Sequence, residues 1–406
     1  MMRFPASRLL LPACLAFLAA CSEQKTTSAE QPASAPPSTT DTVASRPAPA
    51  PAPVPATTPE QEVALYLAGM AVPEQSSLHP LAAQPAWQAY AQNADKSWTS
   101  YDSTRTQKIE QWAATELDSA RAAAATVFYP FSGPDFLNAT TMFPGSRTYV
   151  LMGLEPVGSV PHRATLENPK LFTALKASLW SVLSFSFFRT NDMAVELKSV
   201  ELDGALPLLM LFAARTSHQI TGLRYVQLTP DGQVHPADSA TAQKPGPRVV
   251  PGVELKLQPK SGPEKTVLYF SADLSDWKLG ATKEAPRAFM RGLGPFATYV
   301  KSATYLMHKP YFSKVRNLIL EQSTYVLQDD SGIAMKYFQP KQWQLTYYGT
   351  YKRPINLFAK HYQPELTAAY TNKAAPPRPL PFGTGYNWRQ NDSNLLLARR
   401  LTSAEQ

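Results

Sequence analysis

The stretch VFYPFSGPDFLNATTMFPGSRTYVLMGLEPVG, residues 127 to 158, does most to limit what this 406-residue chain can fold into. A β-rich run from Val127 to Phe131 ends in the turn Ser132-Gly133-Pro134-Asp135. A short helical stretch follows, and a second strand, Thr148 to Leu154, ends on Glu155. Strand, turn, helix and strand in that order make a βαβ unit, which requires parallel strands and helices lying on the faces of the sheet. Helical and strand patterns alternate through much of the chain. Thr58-Pro59-Glu60-Gln61 opens a helix running through Met70, with proline at its first position. Two further helical patterns carry Trp87, Tyr90, Trp98 and Trp112 towards a core, and PKLFTALKASLWSVLSFSFF is a helix apolar on most faces. Leu206 to Ala214 is too short to cross a bilayer and reads as a buried strand or helix. GLRYVQLTPDG reads as a strand, and GVELKLQPKSGPEKTVLYFSADL as a pair joined by a Ser-Gly-Pro turn. YVKSATYLMHKPYFSKVRNLILEQ reads as a helix broken at Pro310, and STYVLQDDSG and KQWQLTYYGTY as strands with a turn between them. The expectation is an α/β fold, a mixed sheet with flanking helices.

The N-terminus constrains the compartment. In MMRFPASRLLLPACLAFLAAC, Arg3 and Arg8 give a positive region, Leu9 to Leu18 an apolar one, and small residues precede Cys21. Leu18-Ala19-Ala20-Cys21 matches a lipobox, so the chain resembles a bacterial lipoprotein precursor. That resemblance implies diacylglycerol on the Cys21 sulfur, cleavage before it, and acylation of the new amino group. Stable anchoring takes more than one acyl chain. Ser22, where an aspartate would resemble an inner-membrane retention signal, points to the outer membrane. Cys14 and Cys21 are the only cysteines, so the mature chain has no disulfide, thiolate nucleophile or Cys-based metal site. From Ser28 to Pro59, prolines alternate largely with Ala, Ser and Thr, a composition for an extended tether at ~3.1 Å per residue. The expected layout is a signal at residues 1–20, a lipidated Cys21 and tether to 59, a helical segment at 60–125, and an α/β body over 126–406.

The turn at Ser132 to Asp135 sits where a Rossmann-like βαβ unit binds its cofactor, with Glu155 after the second strand where such folds hold ribose hydroxyls. The layout resembles a degenerate class I methyltransferase opening. It lacks the second and third glycines, and Pro134 removes one N–H donor. Asp135 as the cap of the following helix needs no ligand at all. Nucleotides and S-adenosylmethionine are cytoplasmic, so an exported chain implies a reused scaffold and no cofactor. The blocks FYPFSGPDF, TYVLMGLEPVG, LQDDSGIAMKYF and LPFGTGYNW resemble a group of secreted bacterial proteins, a resemblance that implies no particular activity.

Two chemistries compete with binding. A hydrolase would use Ser132 as nucleophile, His218, His308 or His361 as base, and Asp329 or Asp330 to orient it, though Ser132 is not in G-x-S-x-G. His308 also reads as a helix-end residue that meets carbonyls. Asp329-Asp330-Ser331-Gly332 offers oxygen ligands for Ca²⁺ or Mg²⁺, but is equally ordinary turn chemistry, and with no H-x-x-x-H no metal is expected. Charge is informative in bulk. Without Arg3 and Arg8 the chain carries 37 basic against 31 acidic side chains, net +6. Residues 301 to 361 hold nine Lys and Arg, Lys301 and Arg316 among them, against Glu321, Asp329 and Asp330, interleaved with aromatics. Such a surface suits an anionic glycan or lipid headgroup; if the aromatics are core, the lysines are a solvated face. Nucleic acid fits the charge but not the compartment. The expectation is a lipid-anchored outer-membrane protein with a non-enzymatic binding role for a glycan, anionic lipid or protein, through Lys336, Lys341, Lys352 and Arg353. The alternative is a cofactor-independent periplasmic hydrolase with a cleft near Ser132, Asp135 and Glu155.

Overall fold

The computed structural model describes residues 57–405 apart from 186–199, 201, 241–245, 247 and 282–283. Cys21 and nearly all of the Ser28–Pro59 tether lie outside the described residues. The sheet is built from β1 (Thr126–Pro130), β2 (Thr148–Gly153), β3 (His218–Leu228), β4 (Val234–Pro236), β5 (Val250–Pro259), β6 (Lys265–Ser271), β7 (Phe296–Val300), β8 (Ser323–Gln328), β9 (Trp343–Gly349) and β10 (Asn394–Arg400). These ten strands run in the order β4-β3-β5-β6-β2-β1-β7-β8-β10-β9. The five from β6 to β8 are mutually parallel. In chain order they lie 3-2-1-4-5, a doubly wound arrangement whose direction of winding reverses between β1 and β7. β10 is antiparallel to both β8 and β9, so β9 points the same way as β8. On the other side β5, β3 and β4 add an antiparallel extension to β6. The fold is therefore α/β with a mixed sheet.

Helices cover both faces, and the strands alternate between two apolar clusters as a pleat demands. Val127, Tyr129, Tyr149 and Leu151 point to one. There they pack against α1 (Pro59–Leu67), α2 (Pro85–Tyr101), α3 (Gln107–Glu116), α4 (Phe136–Met142), α5 (Leu171–Phe185) and α6 (Leu206–Arg215). Phe128, Val150, Met152 and Phe270 point to the other, against α7 (Asp276–Ala281), α8 (Ala285–Gly292) and α9 (Ser313–Gln322). Local signals fix several ends. The Thr58 side chain accepts from the Gln61 N–H at 3.1 Å and starts α1. Asp135 does the same for α4 through the Asn138 N–H. Among the described residues no helix is long and apolar enough to cross a membrane.

Three expectations are corrected. Tyr299 and Val300 do not open a helix; they end β7, a central strand. The α-helix begins only at Ser313, after two 3₁₀ turns, the second of which opens on Pro310. The strands over 323–328 and 343–349 are not partners, because β10 lies between them. Its sequence, NLLLARR, is rich in strong helix formers, and burial between two strands overrides that preference.

Candidate functional site

Because β9 follows the direction of the parallel strands, the loops after β1, β2, β6, β7, β8 and β9 all open on one edge of the sheet. In doubly wound sheets, ligands bind at this carboxyl edge, where the winding reverses. The four sequence blocks meet there. FYPFSGPDF leaves β1, TYVLMGLEPVG leaves β2, and LQDDSGIAMKYF leaves β8. LPFGTGYNW folds over them, so that a Cβ built on Gly385 would lie 2.3 Å from Asp329 Oδ2. Only glycine, here at φ +71°, fits that approach.

At the reversal point the charged and amide groups pair with one another, although the buried Tyr101 and Ser302 hydroxyls make no hydrogen bond among the described residues. Lys301, the first residue after β7, is buried and its Nζ lies 2.9 Å from Asp135 Oδ2, which is also buried. The Tyr129 hydroxyl donates to the same oxygen at 2.9 Å, and Asn138 donates to Oδ1 through its N–H and its side-chain amide. Burial pushes the Lys301 ammonium below its ordinary range, and Asp135 opposes that shift. Arg105, on a π-helical turn at Asp102–Thr106, reaches the Gly383 carbonyl at 3.5 Å. One step along the edge, Asp329 Oδ2 accepts from the Ser302 N–H and Oδ1 from the Ser331 N–H and hydroxyl. Asp330 accepts from the Tyr305 hydroxyl and, at 3.0 Å, from the Asn394 amide. Burial first, and then the Asp329 charge, raise Asp330 to about 7, while burial raises Asp329. A cavity with room for about one water molecule lies beside Asp329, Asp330, Gln363 and Asn394.

The backbone is strained at the same place. Phe131, Ser302, Thr304 and Tyr305 all have φ between 52° and 59°, a region that costs a residue with a Cβ of order 1 kcal/mol or more. The Tyr386 hydroxyl helps to hold that loop by donating to the Ser302 carbonyl at 2.9 Å.

The turn after β1 has little left for a ligand. The Ser132 N–H donates to the Met152 carbonyl and the Asp135 N–H to the Ser132 carbonyl, and Pro134 has none. The Glu155 carboxylate lies against Gly133, about 3.0–3.3 Å from where a Cβ there would stand. A phosphate approaching Gly133 would meet that negative charge. The Tyr269 hydroxyl donates to the Glu155 carbonyl and fixes the loop.

The hydrolase residues are not assembled as a triad. The Ser132 hydroxyl is buried and donates to the Gly133 carbonyl at 3.0 Å, with the Met152 carbonyl at 3.5 Å. His218 lies at the opposite edge, at the start of β3, with Nδ1 2.9 Å from the Thr216 hydroxyl oxygen. His308 and His361 do reach the carboxyl edge, where their rings pack on Tyr305. Tyr305 links them to Asp330 rather than to Ser132. Among the described residues no group of three His, Cys, Asp or Glu is placed to hold a metal ion.

The basic stretch divides. Lys301 and Arg316 are buried, the latter donating to the Met307 and Lys309 carbonyls. Trp343, Tyr348 and Tyr351 are core. Lys336, Lys341, Lys352 and Arg353 are exposed. They do not share one end of the sheet, since Lys341 precedes β9 and Lys352 and Arg353 follow it, roughly 20 Å along the strand.

Sequence reasoning missed Lys301 as an internal charge, and it missed a surface feature. Among the described residues the most exposed large hydrophobics are Leu154, Trp277, Tyr311, Leu357 and Tyr362. All five lie in the connections that leave the carboxyl edge after β2, β6, β7 and β9, Trp277 in the first turn of α7. The signal was present as a tryptophan in the turn-like segment ADLSDW just after a strand. No protein-family model, curated protein or solved structure matches this chain.

Proposed function

We propose that this chain is a lipid-anchored cell-envelope protein with a non-enzymatic binding role, and that the carboxyl edge of its sheet is the binding face. One observation carries this reading: the charged groups at the reversal point are paired with one another, while exposed large hydrophobics stand in the connections that leave the same edge. Scattered single apolar residues need no explanation, but their collection on one edge does. The likeness to class I methyltransferases is then one of scaffold. The doubly wound order is kept, and Glu155 and the internal hydrogen bonds occupy the place of a nucleotide phosphate. Lys352 and Arg353 supply positive charge on the same edge, suited to an anionic envelope component.

Co-sedimentation of the purified protein with cell-wall sacculi and outer-membrane vesicles, at low and high salt, tests this. Lys352→Glu with Arg353→Glu and Leu357→Ser should weaken sedimentation several-fold, and wild-type binding should fall as salt rises. Lys341→Glu, at the other end of β9, should leave it unchanged. Equal sedimentation of all three proteins at both salts rejects the reading.

A further inference from the structure

Trp277 and Tyr311 leave different strands and meet in the surface. Trp277 is the second residue of α7, after β6, and Tyr311 lies in the 3₁₀ turn before α9, after β7. Their rings stack with centroids 5.4 Å apart and planes 22° apart, at 61% and 38% exposure. Tyr311 packs in turn on Phe312, and Phe312 on Phe131, the left-handed residue that begins the turn after β1. An aromatic chain therefore runs from open solvent to the reversal point of the sheet.

The pair is held rather than left loose. Asp276, next to Trp277, accepts from the Ser313 N–H and hydroxyl and from the Lys314 N–H, and so caps α9 with a side chain from α7. Lys314 Nζ also lies 3.0 Å from Glu284 Oε1. Two loops are thus clamped together at the base of the two rings. A fixed ring loses little entropy on binding, which is why rigid aromatics serve as anchors.

We infer that the Trp277–Tyr311 pair is a binding site for a sugar ring that carries a carboxylate, an inference that rests on the carboxyl edge being the ligand face. A pyranose has C–H groups on one face and hydroxyls around its rim, so it stacks on an aromatic ring and needs polar neighbours at the sides. The site offers one exposed indole stacked on Tyr311, with the Asp273 and Asp276 carboxylates already taken up by N–H and O–H donors of the two loops and Lys309 left beside the Tyr311 ring. Lys309 Nζ stands 5.8 Å from the centroid of the Tyr311 ring, so a positive charge lies beside the platform. A carboxylate complements it. A bilayer would ask for a broader apolar patch than one ring pair with charged flanks.

The full-length protein in detergent should be titrated with soluble oligogalacturonate, with its methyl ester, and with phosphatidylglycerol vesicles, following tryptophan fluorescence. The free acid should bind saturably and several-fold tighter than the ester, and a rise in salt should remove that preference. Trp277→Ala should weaken binding at least tenfold with the circular-dichroism spectrum unchanged, and Trp277→Phe should retain part of it. Lys309→Gln should abolish the preference for the free acid while leaving binding of the ester. If Trp277→Ala binds like wild type, if neither saccharide binds, or if only the vesicles do, the site is not a saccharide platform. Should wild type still sediment with envelope fractions through the edge residues, the broader binding role survives that failure. Should it not sediment at all, the broader reading has failed first.

Discussion

The two ends of the parallel strands each bury a lysine, and they treat it differently. At the amino edge Lys265 is met by neutral oxygens: the Pro144 carbonyl, the Ser146 carbonyl at 2.9 Å and the Tyr149 hydroxyl at 3.5 Å. Burial lowers its ammonium to about 8. At the carboxyl edge Lys301 is met by a carboxylate, that of Asp135, inside a network of phenols and amides. The amino edge joins a loop to a strand. The carboxyl edge also holds two adjoining buried carboxylates, four strained non-glycine residues and the exposed aromatic rim. On the proposed reading, stability and ligand binding fall to opposite ends of one sheet, and more of the strained residues lie at the second end, with Ser217 the counterpart at the first.

The comparison breaks most readily at the lysines. Lys301→Met strands the Asp135 charge in the interior and should destabilise the protein by about 3–5 kcal/mol in urea unfolding. Lys265→Met leaves only neutral acceptors unpaired, for about 1–3 kcal/mol. Equal losses would mean that the two edges do not differ in the way described. Asp135→Asn combined with Lys301→Met should recover part of the first loss, since no lone charge remains.

A subtler test uses pH. Asp330 is raised to about 7, so its burial opposes folding once it ionises, and stability falls as pH rises from about 4 to about 7. His308 is lowered to about 4 by burial and then by His361, so stability falls as pH drops from its usual 6.5 to about 4. The two slopes oppose each other over most of that window. Asp330→Asn should therefore unmask stability that rises between pH 4 and 6.5, and His308→Gln combined with His218→Gln, whose imidazole burial also lowers to about 4, should unmask stability that falls across it. Each effect should be on the order of 1–3 kcal/mol, seen as shifts in Tm. A flat profile in both variants would remove the carboxylate and imidazole from the account of this edge. Smallest of all, Leu154→Ser should change stability by less than ~0.5 kcal/mol, because its side chain is already 72% exposed.

Much of this architecture was readable from local pattern. β1, the turn and β2 were legible because β-branched and aromatic runs lie between Gly, Pro and Asp. Ser132, Asp135, Glu155, Asp329 and Asp330 stood out as polar residues just after strands. β7 was hidden because FATYV is short and runs straight into residues that read as helical. β10 was hidden by its leucines and arginines, whose strand conformation comes wholly from its neighbours. Lys301 looked like one more surface cation among nine, and nothing local marks a lysine whose partner lies far away in the sequence. The convergence of Trp277 and Tyr311 depends on the adjacency of two loops, which only the sheet order supplies.

That sheet order also has a consequence for folding. β8 and β9 precede β10, the strand that lies between them, and β10 follows only after a long intervening segment. Until β10 is in place, the outer side of β8 is an open row of N–H and C=O groups, a template for wrong partners. Insertion of β10 between two waiting strands is a late, non-local step of the kind that slows folding and leaves intermediates prone to aggregate.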